Sequence, residues 1–236
     1  MKQEIIRIDL QGVNCYLGKS GDSFILFDTG GHTIIDKQFT DRRESLEKEL
    51  EKAGCKPGNL KLVVLTHGDN DHAANAAYIR EKYKAKIAMH PYDLELVENP
   101  DIEKVMGSFR YKSLIHKLIF LFMKRIIRKI SIKTLDDFTK FRPDILVDEG
   151  YSLAEHGFEA VIVHTPGHTA GSIGIISAEG DLVAGDMFTN IKKPDTAPNA
   201  YDFKSMEISV DRLRNMNIRT VYPGHGEPFE AKQLVQ

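Results

Sequence analysis

Short apolar runs and helix-length amphipathic stretches take turns along this 236-residue chain, separated by polar turn residues. The pattern predicts strands over 4–10, 13–18 and 23–28, with Gly21-Asp22 as the turn between the second and third. A helix follows near 38–53, stopped by Gly54 and by Pro57-Gly58 just beyond it. The apolar run from Leu60 to Leu65 predicts a strand over 61–66, then come a helix over 72–83 and a strand over 86–89. Further on, strands are predicted over 145–148, 159–163, 173–177 and 181–184, a helix over 204–214 and a strand over 219–222. Strands interleaved with helices in two halves predict an α/β protein whose two sheets pack face to face, helices outside.

The stretch from about Asn99 to Arg142 breaks this pattern. Ile115, Leu118, Ile119, Phe122, Ile126 and Ile130 form one helical stripe, with Lys117, Lys124 and Arg128 on the opposite face. Burying six such side chains contributes on the order of 10 kcal/mol, so the stripe is expected to face the body, a second subunit or a membrane. Internal repeats and low-complexity segments are absent. The expected organisation is one domain over residues 1–236 with a helical insert at about 99–142.

Composition adds limits. An apolar share of 42% suits a soluble globular protein with a full core. Two cysteines, Cys15 and Cys55, make no disulfide framework, which favours a reducing cytoplasm. The N-terminus begins with charge rather than an apolar signal core, and Leu118–Met123 is the longest apolar run, so no membrane span is expected. The net charge of −2 conceals an asymmetry: Lys104 to Leu135 holds nine Lys and Arg and no acid, leaving 23 basic against 34 acidic side chains elsewhere. The insert is therefore a basic, apolar helix on an acidic body. A lid or substrate-pocket wall is the favoured role for it, a homodimer element the second and a peripheral membrane contact the third.

The candidate chemistry begins directly after the Leu60–Leu65 run, in Thr66-His67-Gly68-Asp69-Asn70-Asp71-His72. Alternate residues of an extended segment share a face, so His67 and Asp69 can converge on one ion. Asp71 and His72 are adjacent and point apart, so at least one can serve a second ion. Imidazole with carboxylate suits zinc, iron or manganese. Three later segments add to this: His164-Thr-Pro-Gly167-His168, Gly185-Asp186 at the end of a short strand, and Tyr222-Pro-Gly224-His225. Each alone is ordinary turn chemistry. Asp69 could instead cap the following helix, and Asp28 could simply form a turn. All four segments in this order point to a metal centre.

With these residues the chain resembles the metallo-β-lactamase-fold hydrolase superfamily, whose pattern is His-x-His-x-Asp-His, a His in a Pro-Gly-His turn, a bridging Asp after a strand, and a C-terminal His. Those positions read here as His67, Asp69, Asp71, His72, His168, Asp186 and His225. Ile25-Leu-Phe-Asp28-Thr-Gly30 and Ala88-Met-His90-Pro91 are supporting marks. One position departs: Asp69 stands where the family has its second His. The resemblance implies a four-layer αβ/βα sandwich of two mixed β-sheets with helices outside. It also implies two divalent metal ions: one held by His67, Asp69 and His168, the other by Asp71, His72 and His225, with Asp186 bridging. Asp71 is the catalytic candidate, as proton acceptor for a hydroxide held between the ions. Asp28 can orient a ligand His.

The resemblance leads first to a dinuclear hydrolase of an ester, lactone, thioester or phosphodiester, using Zn2+. The substrate is expected to be a small molecule, anionic or acyl-bearing; a nucleic-acid partner is not expected. The carboxylate at Asp69 tilts the site towards iron or manganese, and the superfamily's diiron flavoproteins resemble the chain in having a carboxylate there. A non-haem diiron protein binding or reducing dioxygen or nitric oxide is therefore the alternative. Those relatives also carry a flavodoxin-like domain, for which 236 residues leave no room. His32, His90, His116, His156 and His164 fall outside the pattern and read as structural or exposed, while Phe188, Asn199, Tyr201 and Phe203 are placed either to touch substrate or to pack a loop.

Overall fold

The apolar runs become two mixed sheets of six strands each. The computed structural model describes residues 3–32, 39–108 and 110–235. The first sheet runs in the order β1 (Gln3–Asp9), β2 (Asn14–Ser20), β3 (Ser23–Phe27), β4 (Leu60–Val64), β5 (Lys86–Met89) and β6 (Ile145–Leu146). Its first three strands form an antiparallel meander and its last three pair in parallel. The second sheet contains β7 (Ala160–His164), β8 (Ile173–Ser177), β9 (Asp181–Asn190), β10 (Asp195–Thr196), β11 (Thr220–Gly226) and β12 (Phe229–Glu230). Its order is β12-β11-β9-β8-β7, with β10 on β9.

Side-chain alternation sorts these strands into layers. In β4, Leu62 and Val64 join Ile25, Phe27, Ile162, Ile175 and Val183 in a cluster between the sheets. Val63 and Leu65 instead meet Leu46 and Leu50 of α1 (Arg43–Lys52) and Ile79 and Tyr83 of α3 (Ala76–Tyr83). On the far side, Leu182 and Ala184 of β9 meet Met206, Val210 and Leu213 of α7 (Phe203–Arg214). Strands covered on both faces have no polar side to show, which is why the sequence displays solid apolar runs there. The result is the predicted four-layer sandwich of two mixed sheets with helices outside.

Local differences from the expected elements have physical causes. The first helix begins only at Arg43, and residues 33–38 lie outside the described residues. The helix over 72–83 divides into α2 (Asn70–Ala73) and α3, with Ala74 and Asn75 between them. Strand β9 continues past 184 to Asn190, and β11 continues past 222 through Pro223-Gly224-His225 to Gly226. Pro223 lacks the N–H that a regular ladder needs, and the β11–β9 register shifts on both sides of it. The second Pro-Gly is thus a pair of irregularities inside a strand rather than a turn after one.

Just before the insert lies α4 (Leu94–Glu98), and the insert itself folds as α5 (Ile102–Ser108) and the long α6 (Leu114–Asp136). Its apolar stripe does not face the body as its composition suggests. Ile115, Leu118, Ile119, Phe122 and Ile126 are exposed, and only Ile130 is half-buried. The buried face of α6 is Ile127, Ser131 and Thr134. Polar ties hold that side down: Asn70 donates to the Thr134 carbonyl at 3.4 Å, and His32 Nε2 meets the Asp137 carboxylate at 2.6 Å. The buried Thr134 hydroxyl is satisfied within the helix, donating to the Ser131 carbonyl at 2.9 Å.

Candidate metal centre

The seven residues of the pattern come together at one edge of the sandwich. His67 and Asp69 lie on the loop leaving β4, and Asp71 and His72 lie in α2. His168 follows β7, Asp186 sits within β9 and His225 within β11. Asp69 Oδ2 is 3.1 Å from His168 Nε2 and 3.7 Å from His67 Nε2. His225 Nε2 is 3.1 Å from Asp186 and 3.5 Å from Asp71. Asp186 also lies 3.3 Å from His72 Nε2 and 3.7 Å from His168 Nε2, so it touches both halves of the cluster. Within this cluster, three sets have all ligand atoms within 4.8 Å of one another: His67, Asp69 and His168; Asp71, His72 and His225; and His67, His72 and Asp186.

Each imidazole is held by its other nitrogen. His72 Nδ1 donates to Asp28 Oδ2 at 2.8 Å. His67 Nδ1 donates to Thr66 Oγ1 at 3.0 Å, and that hydroxyl donates to the same Asp28 oxygen at 2.7 Å. His168 Nδ1 donates to the Asn199 carbonyl at 3.2 Å, and His225 Nδ1 donates to the Gly12 carbonyl. The acceptors fix each Nδ1 as a donor and turn all four Nε2 atoms towards the carboxylates, where each can ligate a cation once it carries no proton. The cap reading of Asp69 fails: it begins α2 by backbone position, but its side chain makes no cap hydrogen bond and goes to His168. Asp28 orients a His, and it also holds a turn in the left-handed region at φ 60.

Glycine is required where the loops close on this cluster. A Cβ at Gly224 would stand 2.0 Å from Asp186 Oδ1, and one at Gly185 would stand 2.5 Å from Thr66 Oγ1. Asn14 Nδ2 and the Tyr16 hydroxyl both donate to the Pro223 carbonyl, fixing the strand that carries His225.

Protein groups alone leave the cluster strongly polarised. Burial, reinforced by His72 and His168, pushes His67 down to about 4. Burial opposes the charge of His168, but the Asp69 hydrogen bond and Asp186 win and raise it to about 9. His225 is likewise raised to about 9 against burial, by Asp186 and then Asp71. Burial opposes ionisation of Asp69, yet the His168 hydrogen bond and the His67 charge carry it down to about 2. Burial raises Asp71, with Asp186 and Asp69 adding to it against His72 and His225. A site with this many carboxylates demands positive charge.

Three atoms test whether a metal fits. His67 Nε2, His72 Nε2 and Asp186 Oδ1 are buried and have no hydrogen-bond partner. Buried polar atoms in folded proteins are nearly always paired, so three orphans facing one another call for a cation. Imidazole nitrogens and carboxylate oxygens at this spacing suit divalent metals, and the residues fit the group.

A cavity of about 320 Å3 opens onto Asp69, Asp71, His168, Asp186 and His225. The insert supplies part of its wall through Val105, Tyr111, Leu135 and Phe138, residues other than the apolar stripe. Phe188 and Asn199 also line it; Phe203 does not, and Tyr201 stacks with the Arg110 guanidinium instead. His32, read as structural or exposed, is buried and lines the same cavity. His90 is buried away from the cavity and stacks on His164 at 4.1 Å, with Asp148 3.2 Å from its Nε2. That trio also has metal-ligand spacing; within it His90 Nδ1 accepts from the Tyr92 N–H and His164 Nε2 donates to the Ala170 carbonyl.

Asp93 was not singled out by the sequence pattern. Its buried carboxylate accepts from the Gly68 N–H at 2.9 Å, the Thr169 hydroxyl at 2.7 Å and the Gly171 N–H at 2.8 Å. It therefore pins the loop of His67 and Asp69 to the loop of His168. An acid soon after His90-Pro91 is the only local mark it leaves.

A sandwich of two mixed sheets with helices outside, and His and Asp side chains gathered at one edge, defines a class of metal-binding α/β protein. The sequence pattern of the metallo-beta-lactamase superfamily matches residues 8–225, and the chain belongs to that superfamily. It is 26% identical to a probable metallo-hydrolase of Methanocaldococcus jannaschii over 89% of each chain. It is 22% identical to a beta-lactamase-like protein 2 homolog of Caenorhabditis elegans over 92% of its own length, but spans only 57% of that relative. Among solved structures, a metallo-beta-lactamase family protein of Thermus thermophilus superposes with a TM-score of 0.73 at 22% identity, covering 98% of this chain and 75% of that one. Another, solved in a di-iron-bound form, superposes with a TM-score of 0.66 at 21% identity, covering 98% and 96%. No described helix is long and apolar enough to cross a membrane.

Proposed function

We propose that this chain is a hydrolase that holds two divalent metal ions, Zn2+ in the first instance, and cleaves a small ester, lactone, thioester or phosphodiester. The observation that carries the reading is the set of buried, unpartnered atoms His67 Nε2, His72 Nε2 and Asp186 Oδ1, beside a cavity of about 320 Å3. His67, Asp69 and His168 would hold one ion and Asp71, His72 and His225 the other, with Asp186 shared. Bound there, the ions would lower the pKa of water towards neutrality and polarise the scissile oxygen.

The chain's own residues do the rest. Asp28 and Thr66 hold His67 and His72 in one tautomer and orientation. Asp71 is half-buried and faces the cavity, so its free carboxylate oxygen can take the proton of an attacking water. Val105, Leu135 and Phe138 give the cavity an apolar side that suits an acyl group and excludes water. The M. jannaschii relative's name as a probable metallo-hydrolase supports the same reaction class.

Metal analysis of protein expressed in metal-replete medium, followed by a screen of the zinc-loaded protein across those four ester classes, tests this. Near two metal equivalents and turnover of one class are expected. Negligible metal content, or full metal content with no turnover of any class, overturns it. One observation favours a second reading, a non-haem diiron protein acting on dioxygen or nitric oxide. Asp69 offers a carboxylate, ionised down to about 2, where an imidazole would suit zinc better. Iron content with an oxygen-sensitive near-ultraviolet absorption would select it.

A further inference from the structure

We infer that the N-terminal half of α6 docks on the surface of an anionic lipid bilayer. This goes beyond the hydrolase reading and does not depend on it.

The first observation is uncompensated apolar exposure. Phe122 is 84% exposed, Leu114 70%, Ile115 68% and Leu121 66%, and Leu118, Ile119 and Ile126 are exposed with them. These residues cover the first three turns of the helix, on the side away from Ile127, Ser131 and Thr134. Contiguous apolar surface of this kind on a folded protein marks a contact site. The helix does not qualify as a membrane span, so it would lie in the interface rather than cross it.

Charge chooses the occupant. Lys104 pairs with Glu95 and Asp101, Arg128 with Glu103 and Lys112 with Glu207. Lys117, Lys124, Arg125 and Lys129 share the helix with the apolar residues and have no ion pair among the described residues. No acid occurs between Lys104 and Leu135 to repel anionic headgroups. A second copy meeting this face about a two-fold axis would bring the same four cations towards their counterparts, with no acid on that part of the helix to pair with them. A nucleic acid would leave the aliphatic side chains uncovered. A bilayer of anionic lipid satisfies both features: acyl chains cover the apolar residues and headgroups meet the cations. The C-terminal half of the same helix lines the cavity through Ser131, Thr134 and Leu135, so docking would bring the cavity close to the lipid.

Co-sedimentation of the full chain with vesicles of mixed phosphatidylglycerol and phosphatidylcholine, and with pure phosphatidylcholine, tests the inference. Binding to the anionic vesicles and little to the neutral ones is expected, weakening as salt is raised. The doubly charge-reversed variant Lys124→Glu/Arg125→Glu should bind at least about 25-fold more weakly, from about fivefold per cation lost. Ile115→Asp/Phe122→Asp should abolish binding while its circular dichroism and melting temperature stay as in the unaltered protein, because both sites are exposed. No binding of the unaltered chain to anionic vesicles overturns the inference, and so does equal binding to both compositions. A stable dimer that Phe122→Asp dissolves, without vesicle binding, assigns the face to a second copy instead and also overturns it.

Discussion

His72 donates its Nδ1 proton to Asp28 at 2.8 Å, across 44 residues of sequence. The same carboxylate takes the Thr66 hydroxyl at 2.7 Å and the Thr66 N–H at 2.7 Å, so Asp28 is fully committed to aiming two imidazoles. Asp28→Asn is a clean probe, because Asn tolerates the left-handed backbone at φ 60 as well as Asp does. A carboxamide accepts on one side only, so the loss falls either on the Thr66 N–H or on His72 Nδ1 and the Thr66 hydroxyl together. Metal affinity should fall about 10–100-fold by chelator competition, with the zinc-saturated protein melting close to the unaltered one. Equal affinity in the two proteins would reduce Asp28 to a turn former.

What could be read in advance was what is local. The apolar runs of β3 and β4 and the clustered His67–His72 segment carry their meaning within a few residues. Supports that reach across the fold leave no such mark: the Gly12 and Asn199 carbonyls that hold His225 and His168 are backbone atoms. Asp93 is similar, since only the folded loops reveal that Gly68 and Gly171 both point at it. The α6 stripe failed in a different way. Its spacing correctly marks an amphipathic helix, but periodicity says only that a face wants cover, not what covers it. Asn70 and His32 hold the other face of that helix and its C-terminal end to the body, and the stripe is left outside.

If Asp71 takes the proton of the attacking water as proposed, Asp71→Asn should lower kcat by about 10²–10⁴ and leave KM little changed. Its Oδ2 sits 3.5 Å from His225 Nε2, so the variant's metal content has to be measured alongside its rate. An Asn variant with both metals retained and an unaltered kcat would remove Asp71 from proton transfer.

His90 should make the protein lose stability in mild acid. Burial, reinforced by the stacked His164, holds its imidazole below the ordinary range, while Asp148 pulls weakly the other way. Protonating Nδ1 would also set it against the Tyr92 N–H it now accepts from. The folded value lies below the unfolded value of about 6.5, so the unfolded chain takes up the proton first. The contribution of His90 is then complete above about pH 6.5 and shrinks as the pH falls towards the depressed folded value. Urea midpoints from pH 7.5 to 5 should drop more steeply in the unaltered protein than in His90→Gln, about one proton's worth of slope apart. Parallel curves would show that His90 does not change its protonation on unfolding.

Asp69 decides how positive the centre is. It stands 3.1 Å from His168 Nε2 and 3.7 Å from His67 Nε2, at the position where the superfamily pattern carries an imidazole. Three carboxylates and a hydroxide would balance two divalent ions, whereas a His here would leave one net positive charge. Asp69→His should therefore shift metal preference from iron towards zinc, because nitrogen replaces a hard oxygen donor. It should also lower the pH at which activity rises, since the more positive centre favours ionisation of bound water. Zinc and iron competition measured by elemental analysis reads the first effect, and pH–rate profiles of both zinc-loaded proteins read the second. If the substitution changes neither, Asp69 lies outside the coordination sphere, and its bond to His168 only orients that imidazole. If metal preference shifts but the unaltered protein turns over no ester and binds nitric oxide in its iron form, the diiron reading takes the place of the hydrolase.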